Sequence, residues 1–241
     1  MSLTNEQVTN RTEQDTFLQG VKDCVPTLLG YLSIGFAAGV IEKTAGLSIM
    51  EIILLSLILY AGSAQFIVAA MFAAGGSTSA IIITVFFVNV RHLLLSAALA
   101  PYFKHLSAVK NMLIGSLLTD ETFGVAITKS AERKYISEKW MHGLNITAYA
   151  NWIVANIAGA MFGQWISNPE TYGLDYALPA MFIGLLVLTM LGRKAFKVDG
   201  FIALIAIIVT LIASLFVSAS LGVIIATIVA STVGMVISKW K

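Results

Sequence analysis

Charge is scarce in this 241-residue chain: Asp, Glu, Lys and Arg make up 12% of it, about half the share of a soluble globular domain. Cysteine is nearly absent. The single Cys24 excludes an internal disulfide, a thiolate metal cluster and a redox pair, and reads as a small apolar residue near a helix start. A net charge of only +2, with basic residues in short clusters rather than one stripe, excludes a nucleic-acid surface. There is no Gly-rich lysine loop for nucleotide phosphates, no His-Glu-x-x-His and no Gly-x-Ser-x-Gly. Of the five aspartates only Asp120 lies well inside an apolar run, which argues against a two-aspartate intramembrane protease. Neither an enzyme nor an ATP-driven pump is expected, and no cofactor or metal.

What the chain has in abundance is apolar length. It is 58% hydrophobic with a mean hydropathy of +0.86, and its apolar runs last about 17 to 25 residues, enough to cross a bilayer as helix. We expect an all-α integral membrane protein, a polytopic bundle of 7–8 transmembrane helices. Eight apolar segments stand out: 25–41, 49–74, 79–100, 107–128, 141–166, 176–191, 201–217 and 221–238. Residues 1–20 form a polar, acidic tail, unlike a signal peptide and expected to be retained, ahead of a single transmembrane transport domain over 21–241. Phe17, Val21 and Cys24 share helical spacing and suggest a short interfacial helix, with Pro26 in the first turn of the next one.

If every segment crosses, Arg11, Lys22, Lys129, Arg133, Lys134, Lys139, Arg193, Lys194, Lys197, Lys239 and Lys241 fall on the N-terminal side and Lys43, Lys104 and Lys110 on the other. That bias places both termini in the cytoplasm.

Several polar residues interrupt the apolar runs. Arg91 and His92 lie near the middle of 79–100, where a lone charge costs about 3 kcal/mol. Asn89, His92 and Ser96 share one helix face, and Arg91 points elsewhere. The next segment supplies counter-charges in Asp120 and Glu121, either of which can pair with Arg91. The carboxylate left over, near His92, is a candidate proton carrier; the alternative is an ion pair that only fixes helix register.

In 49–74, "YAGSAQFIV" has Gly62 weakening the helix before Gln65. A break there would bare backbone N–H groups for a substrate carboxylate, whereas close helix packing would explain the small residues equally well. In 141–166, Asn145, Tyr149, Trp152, Asn156, Gly159 and Gly163 form a continuous stripe that either lines a cavity or hydrogen-bonds neighbouring helices. Ser218, Gly222, Ala226, Ala230 and Gly234 make a small-residue ridge on the last segment for packing against this chain or another subunit.

"AGSAQF", "NVRHLLLSA" and "TDETFG", together with "FLQGVKDCVPTLLGYLSIGFAAGV", resemble the large subunit of AzlC-type (YgaZ-like) branched-chain amino-acid exporters over nearly the whole chain. The resemblance implies a secondary exporter of leucine, isoleucine, valine or methionine in the bacterial cytoplasmic membrane, multi-pass and working with a small AzlD-like membrane subunit expected to be a separate chain; a higher oligomer is also open. We expect Gly62, Ser63 and Gln65 at the substrate carboxylate, Asp120 or Glu121 at its ammonium or a coupled proton, and Phe66 or Phe123 at its side chain. Asn89 and His92 are expected to meet substrate or proton, with Arg91 holding the bundle and Tyr60, Tyr149, Trp152 and Asn156 lining the cavity. A structural or regulatory membrane subunit and a small-solute channel are the competing readings.

Overall fold

The computed structural model describes residues 15–130, 135–166, 168–176, 179–180, 183–184, 186–187, 190–191, 196–217 and 219–239. Among them there are helices and turns and no strand. Arg11, Arg133, Lys134, Arg193, Lys194, Lys241, Ser218, most of the polar tail and part of segment 176–191 lie outside the described residues. The chain divides into two compact units, Met1–Phe182 and Ile183–Lys241.

In the first unit, helix α1 (Phe17–Thr44) packs along α7 (Glu138–Gly163). Glycines let the two backbones touch. A Cβ placed on Gly39 would fall on the Asn156 carbonyl, and one on Gly159 would fall on the Phe36 carbonyl. The contact is thus reciprocal, and without a hydrophobic effect in lipid such close packing is what joins the pair. The expected interfacial helix before Pro26 is not separate. Thr16 caps α1 by accepting the Gln19 N–H at 3.2 Å, and one helix runs through Pro26, since the Phe17 and Gly20 end is already held against Gly143 and Trp140.

Segments 49–74 and 107–128 do not run straight through. The first enters as α2 (Ile49–Leu54), continues as a π-helical turn (Leu55–Leu59), and turns back at Tyr60 into α3 (Gly62–Ala73). Tyr60 has φ 42° and ψ 47°, a left-handed conformation that is rare in a bulky residue. The reversal is visible in three contacts: Ser56 meets Gln65 across the turn, Gln65 meets Glu42 near the end of α1, and Phe72 lies beside Gly46. α2 and α3 therefore form a re-entrant hairpin opening at the Thr44 end of α1.

Helix α4 (Thr78–Leu99) then runs back to the Asp15 end, where the Ile136 N–H reaches the Tyr102 carbonyl at 3.3 Å and His105 packs on Tyr135. The next segment repeats the manoeuvre from this opposite end. α5 (Ala108–Ser116) starts with Lys110 paired to Glu138 at 2.6 Å. The chain turns at Leu117–Thr119, and α6 (Asp120–Ser130) returns to place Lys129 on Asp15 and Asp23, each at 3.0 Å. The order helix, hairpin, helix, hairpin, with the second pair inverted, is a two-repeat design that no internal sequence match reveals.

This topology corrects the charge sorting. Lys104 and Lys110 sit at the N-terminal end of the unit, because the segment between them and Lys129 folds back instead of crossing. Of the basic residues expected on the far side, only Lys43 lies there.

The polar stripe of α7 splints both breaks. Tyr149 donates to the Leu57 carbonyl at 2.8 Å, and Asn145 donates to the Ile114 carbonyl at 2.9 Å. Each carbonyl belongs to a helix end that has lost its next turn, and in lipid no water replaces the missing donor. Tyr149→Phe is expected to lower the thermal unfolding midpoint of the purified protein, by about 1 kcal/mol in stability.

In the second unit, α8 (Phe196–Ser214) and α9 (Ala219–Lys239) pack on each other. Gly222 faces Ala213 and Ser214, and Gly234 faces Ile202. At these two positions the small-residue ridge packs on α8 of the same chain, the first of the two alternatives read from its spacing.

Candidate functional site

Arg91, in the middle third of α4, is where the two hairpin turns meet. One guanidinium nitrogen donates to Ser63 Oγ at 2.5 Å and lies 3.1 Å from Asp120 Oδ2. Ser63 belongs to the first turn of α3 and Asp120 to the first turn of α6, so two helix N-termini from opposite hairpins approach one cation.

The two ends differ in chemistry. At α3, Ala61 occupies the cap position and no side chain caps the helix, leaving the early N–H groups of Gly62, Ser63 and Ala64 without intrahelical partners. Gly62 is needed here because a Cβ would come within 2.9 Å of the Trp152 ring. At α6 the end is self-satisfied: Thr122 N–H donates to Thr119 Oγ1 at 3.4 Å, and Thr119 N–H donates to Thr122 Oγ1 at 2.9 Å. Asp120 and Glu121 in that first turn oppose the positive end of the helix dipole. Tyr31 from α1 donates to Glu121 Oε2 at 2.8 Å and also hydrogen-bonds Thr119 Oγ1.

Between these groups is a small cavity lined by Tyr31, Tyr60, Ala61, Gly62, Ser63, Arg91, His92, Thr119, Asp120, Glu121 and Trp152. It leaves about 20 Å³ to the centre of a water-sized sphere, room for about one water molecule and far too little for an amino acid. The hairpins are closed on one another.

Of the residues expected from sequence, Tyr60, Gly62, Ser63, Arg91, His92, Asp120, Glu121 and Trp152 therefore come together. The remaining six are elsewhere. Gln65 is buried behind Trp152, accepting its indole N–H at 2.7 Å, and Asn156 joins the same buried group. Phe66 belongs to the core, with Phe123 packed against it. Tyr149 is the splint on Leu57, and Asn89 shares α4 with Arg91 without lining the cavity. The polar stripe of α7 thus reaches the cavity through Trp152 alone; its other members hold backbone or neighbouring side chains. Tyr31 and Thr119 were not singled out from sequence. Tyr31 lies in an apolar run with nothing polar beside it, and Thr119 gains meaning only from the turn that precedes Asp120.

A family model described as AzlC protein matches residues 26–166, more than half of the chain. The chain belongs to the AzlC family. The matched stretch runs from α1 through both hairpins to the end of α7, so the AzlC part is the unit that builds the cavity, a narrower extent than the nearly whole-chain resemblance read from the motifs. Among AzlC-like relatives, the inner membrane protein YgaZ of Escherichia coli (strain K12) is 31% identical over 75% of this chain and 76% of its own length. An uncharacterized membrane protein of Archaeoglobus fulgidus is 31% identical over 73% of this chain and 77% of its own. The branched-chain amino acid transport protein AzlC of Bacillus subtilis (strain 168) is 27% identical over 70% of this chain and 66% of its own. No solved structure matches the chain. The chain is a multi-pass membrane protein, and the AzlC family is one of transport proteins.

Proposed function

We propose that the chain is the large subunit of a secondary exporter of branched-chain and related hydrophobic L-amino acids, working with a small AzlD-like membrane protein. The observation that carries this reading is the pair of unlike helix ends at Arg91. The uncapped N-terminus of α3 suits a substrate carboxylate, and the acidic N-terminus of α6 suits an ammonium. A zwitterion needs both, spaced by the width of a small molecule. Oppositely entering hairpins also suit alternating access, since a rocking motion about Arg91 opens the cavity to one side at a time. Opening is required because the closed cavity holds no more than a water.

In this reading Gly62 and Ser63 hold the carboxylate, Glu121 holds the ammonium, and the Arg91–Asp120 pair is the latch between hairpins. Both termini are cytoplasmic, and moving Lys104 and Lys110 to the N-terminal side strengthens the charge bias behind that orientation. The partner comes from the family resemblance.

The test is counterflow of labelled leucine, valine and methionine in vesicles holding the purified chain with and without the small subunit. Glu121→Gln is expected to reduce exchange about tenfold or more while the protein still inserts and unfolds at the wild-type temperature. Wild-type exchange rates in both Glu121→Gln and Ser63→Ala would remove the assignment of this cavity to substrate.

A further inference from the structure

Behind Trp152, on the side away from the cavity, lies a second cluster of buried polar groups. Its centre is Glu42, which is fully buried although it is a carboxyl on a membrane-spanning helix. Glu42 Oε1 accepts from the Gln65 amide nitrogen at 2.9 Å, and Oε2, also buried, has no hydrogen-bond partner among the described residues. The side chains that meet the cluster are Gln65 from α3, Ser56 from the π-helical turn, and Asn156 and Trp152 from α7. None of them is charged or titrates. On its own helix, the neighbouring Lys43 turns its ammonium to the Leu47 carbonyl at 3.3 Å. On α2, Glu51 is tied to the backbone N–H of Ser48 at 2.7 Å.

An ionised carboxylate with no cation beside it in such a place is far costlier than a neutral acid. The hydrogen count points the same way. The Gln65 amide nitrogen has two hydrogens but three oxygens around it, Glu42 Oε1 at 2.9 Å and Ser56 Oγ and Asn156 Oδ1 at 3.3 Å each. The Ser56 hydroxyl already donates to the Ile52 carbonyl at 2.9 Å, and the Trp152 N–H is used on Gln65. The donors of the cluster are spent on other oxygens and, among the described residues, none reaches Oε2, so nothing offsets a negative charge there.

We infer that Glu42 is a proton-binding site, distinct from the substrate cavity, that holds a proton in the closed state and releases it when α3 moves. Gln65 makes the link. It sits one turn into the half-helix whose N-terminus forms the proposed carboxylate site, and it is bonded both to Glu42 and to Trp152, which walls the cavity. A shift of α3 that opens the cavity draws the Gln65 amide away from Glu42. Water then reaches the carboxyl, the O–H bond on Oε2 breaks with its electron pair left on oxygen, and the proton leaves as hydronium. The coupling half of this inference rests on the proposed transport function; the protonation half does not.

Two measurements test it. In vesicles, Glu42→Gln is expected to keep leucine–leucine counterflow within about twofold of wild type and to lose pH-gradient-driven leucine accumulation by about tenfold or more, because a neutral amide mimics the protonated acid but cannot cycle. Accumulation in Glu42→Gln that still follows the pH gradient as in wild type, or wild-type accumulation that follows a sodium gradient and ignores pH, overturns the coupling. No leucine exchange by wild type is instead the failure of the transport reading. Infrared spectra of the wild-type protein in lipid at neutral pH read protonation directly, as a carboxylic-acid C=O stretch that Glu42→Gln removes. If Glu42→Gln does not fold, Glu42→Asp keeps an acid at the position and is expected to displace that band and retain accumulation. Absence of the band in wild type overturns the proton site whatever the transport result.

Discussion

Asp120→Ala alone is expected to be more damaging than loss of Asp120 and Arg91 together. Asp120 Oδ2 is the carboxylate 3.1 Å from the Arg91 guanidinium, and α4 offers Arg91 no acidic residue of its own. Removing one partner of an ion pair takes away the attraction that offsets the other's desolvation, at a cost of about 3 kcal/mol for arginine deep in a helix. The expected result is a marked fall in folded, membrane-inserted protein and in its thermal midpoint. Arg91→Met combined with Asp120→Leu is expected to recover most of that stability, because buried pairs are often replaced by apolar residues at little cost. Exchange of leucine should not recover, since Arg91 also ties Ser63 of the other hairpin. A double variant no more stable than Asp120→Ala would show that the latch is not the pair's role.

The pairing of Arg91 with a carboxylate was legible because it rests on an energy too large to leave unpaid within one chain. Mid-helix charge of one sign in 79–100 calls for the other sign in a neighbour, and the neighbour supplies it. The helices were equally legible: 79–100 corresponds to α4 (Thr78–Leu99) and 141–166 to α7 (Glu138–Gly163), since apolar length is the dominant signal in lipid. The direction of the chain was not. A run of about 22 apolar residues reads the same whether it crosses or doubles back, and the difference lies in Tyr60 turning left-handed and in Leu117 leaving the helix. Neither residue type announces a turn. Gly62 does weaken the helix, but its decisive role is to admit the Trp152 ring, a contact with a residue 90 positions away. Glu42 escaped notice for a related reason. Beside Lys43 at the end of an apolar run it looks like an ordinary interfacial acid, and only the returning α3 buries it.

The largest effect on folding is expected at Gly39, where α1 and α7 touch backbone to backbone. A Cβ there would fall on the Asn156 carbonyl and lie 2.8 Å from the Ala160 nitrogen. Neither is the end of a flexible side chain, so the helices must separate, and overpacking of this kind costs at least 1–3 kcal/mol (~2 on average) even where a core can adjust. Gly39→Leu is expected to abolish folded protein in detergent extracts, and Gly39→Ala to lower the thermal midpoint clearly. Gly30→Leu, on the same helix with nothing within 4 Å of its Cβ, should leave the midpoint unchanged. The consequence reaches the site through α7, whose register against α1 sets Asn145 and Tyr149 on the two freed carbonyls and Trp152 on Gly62. Surviving Gly39→Ala protein should therefore lose leucine exchange at a temperature below its unfolding midpoint, as the splints release the hairpins before the helices part. Coincident loss of exchange and fold would mean that the hairpins hold their own shape without α7.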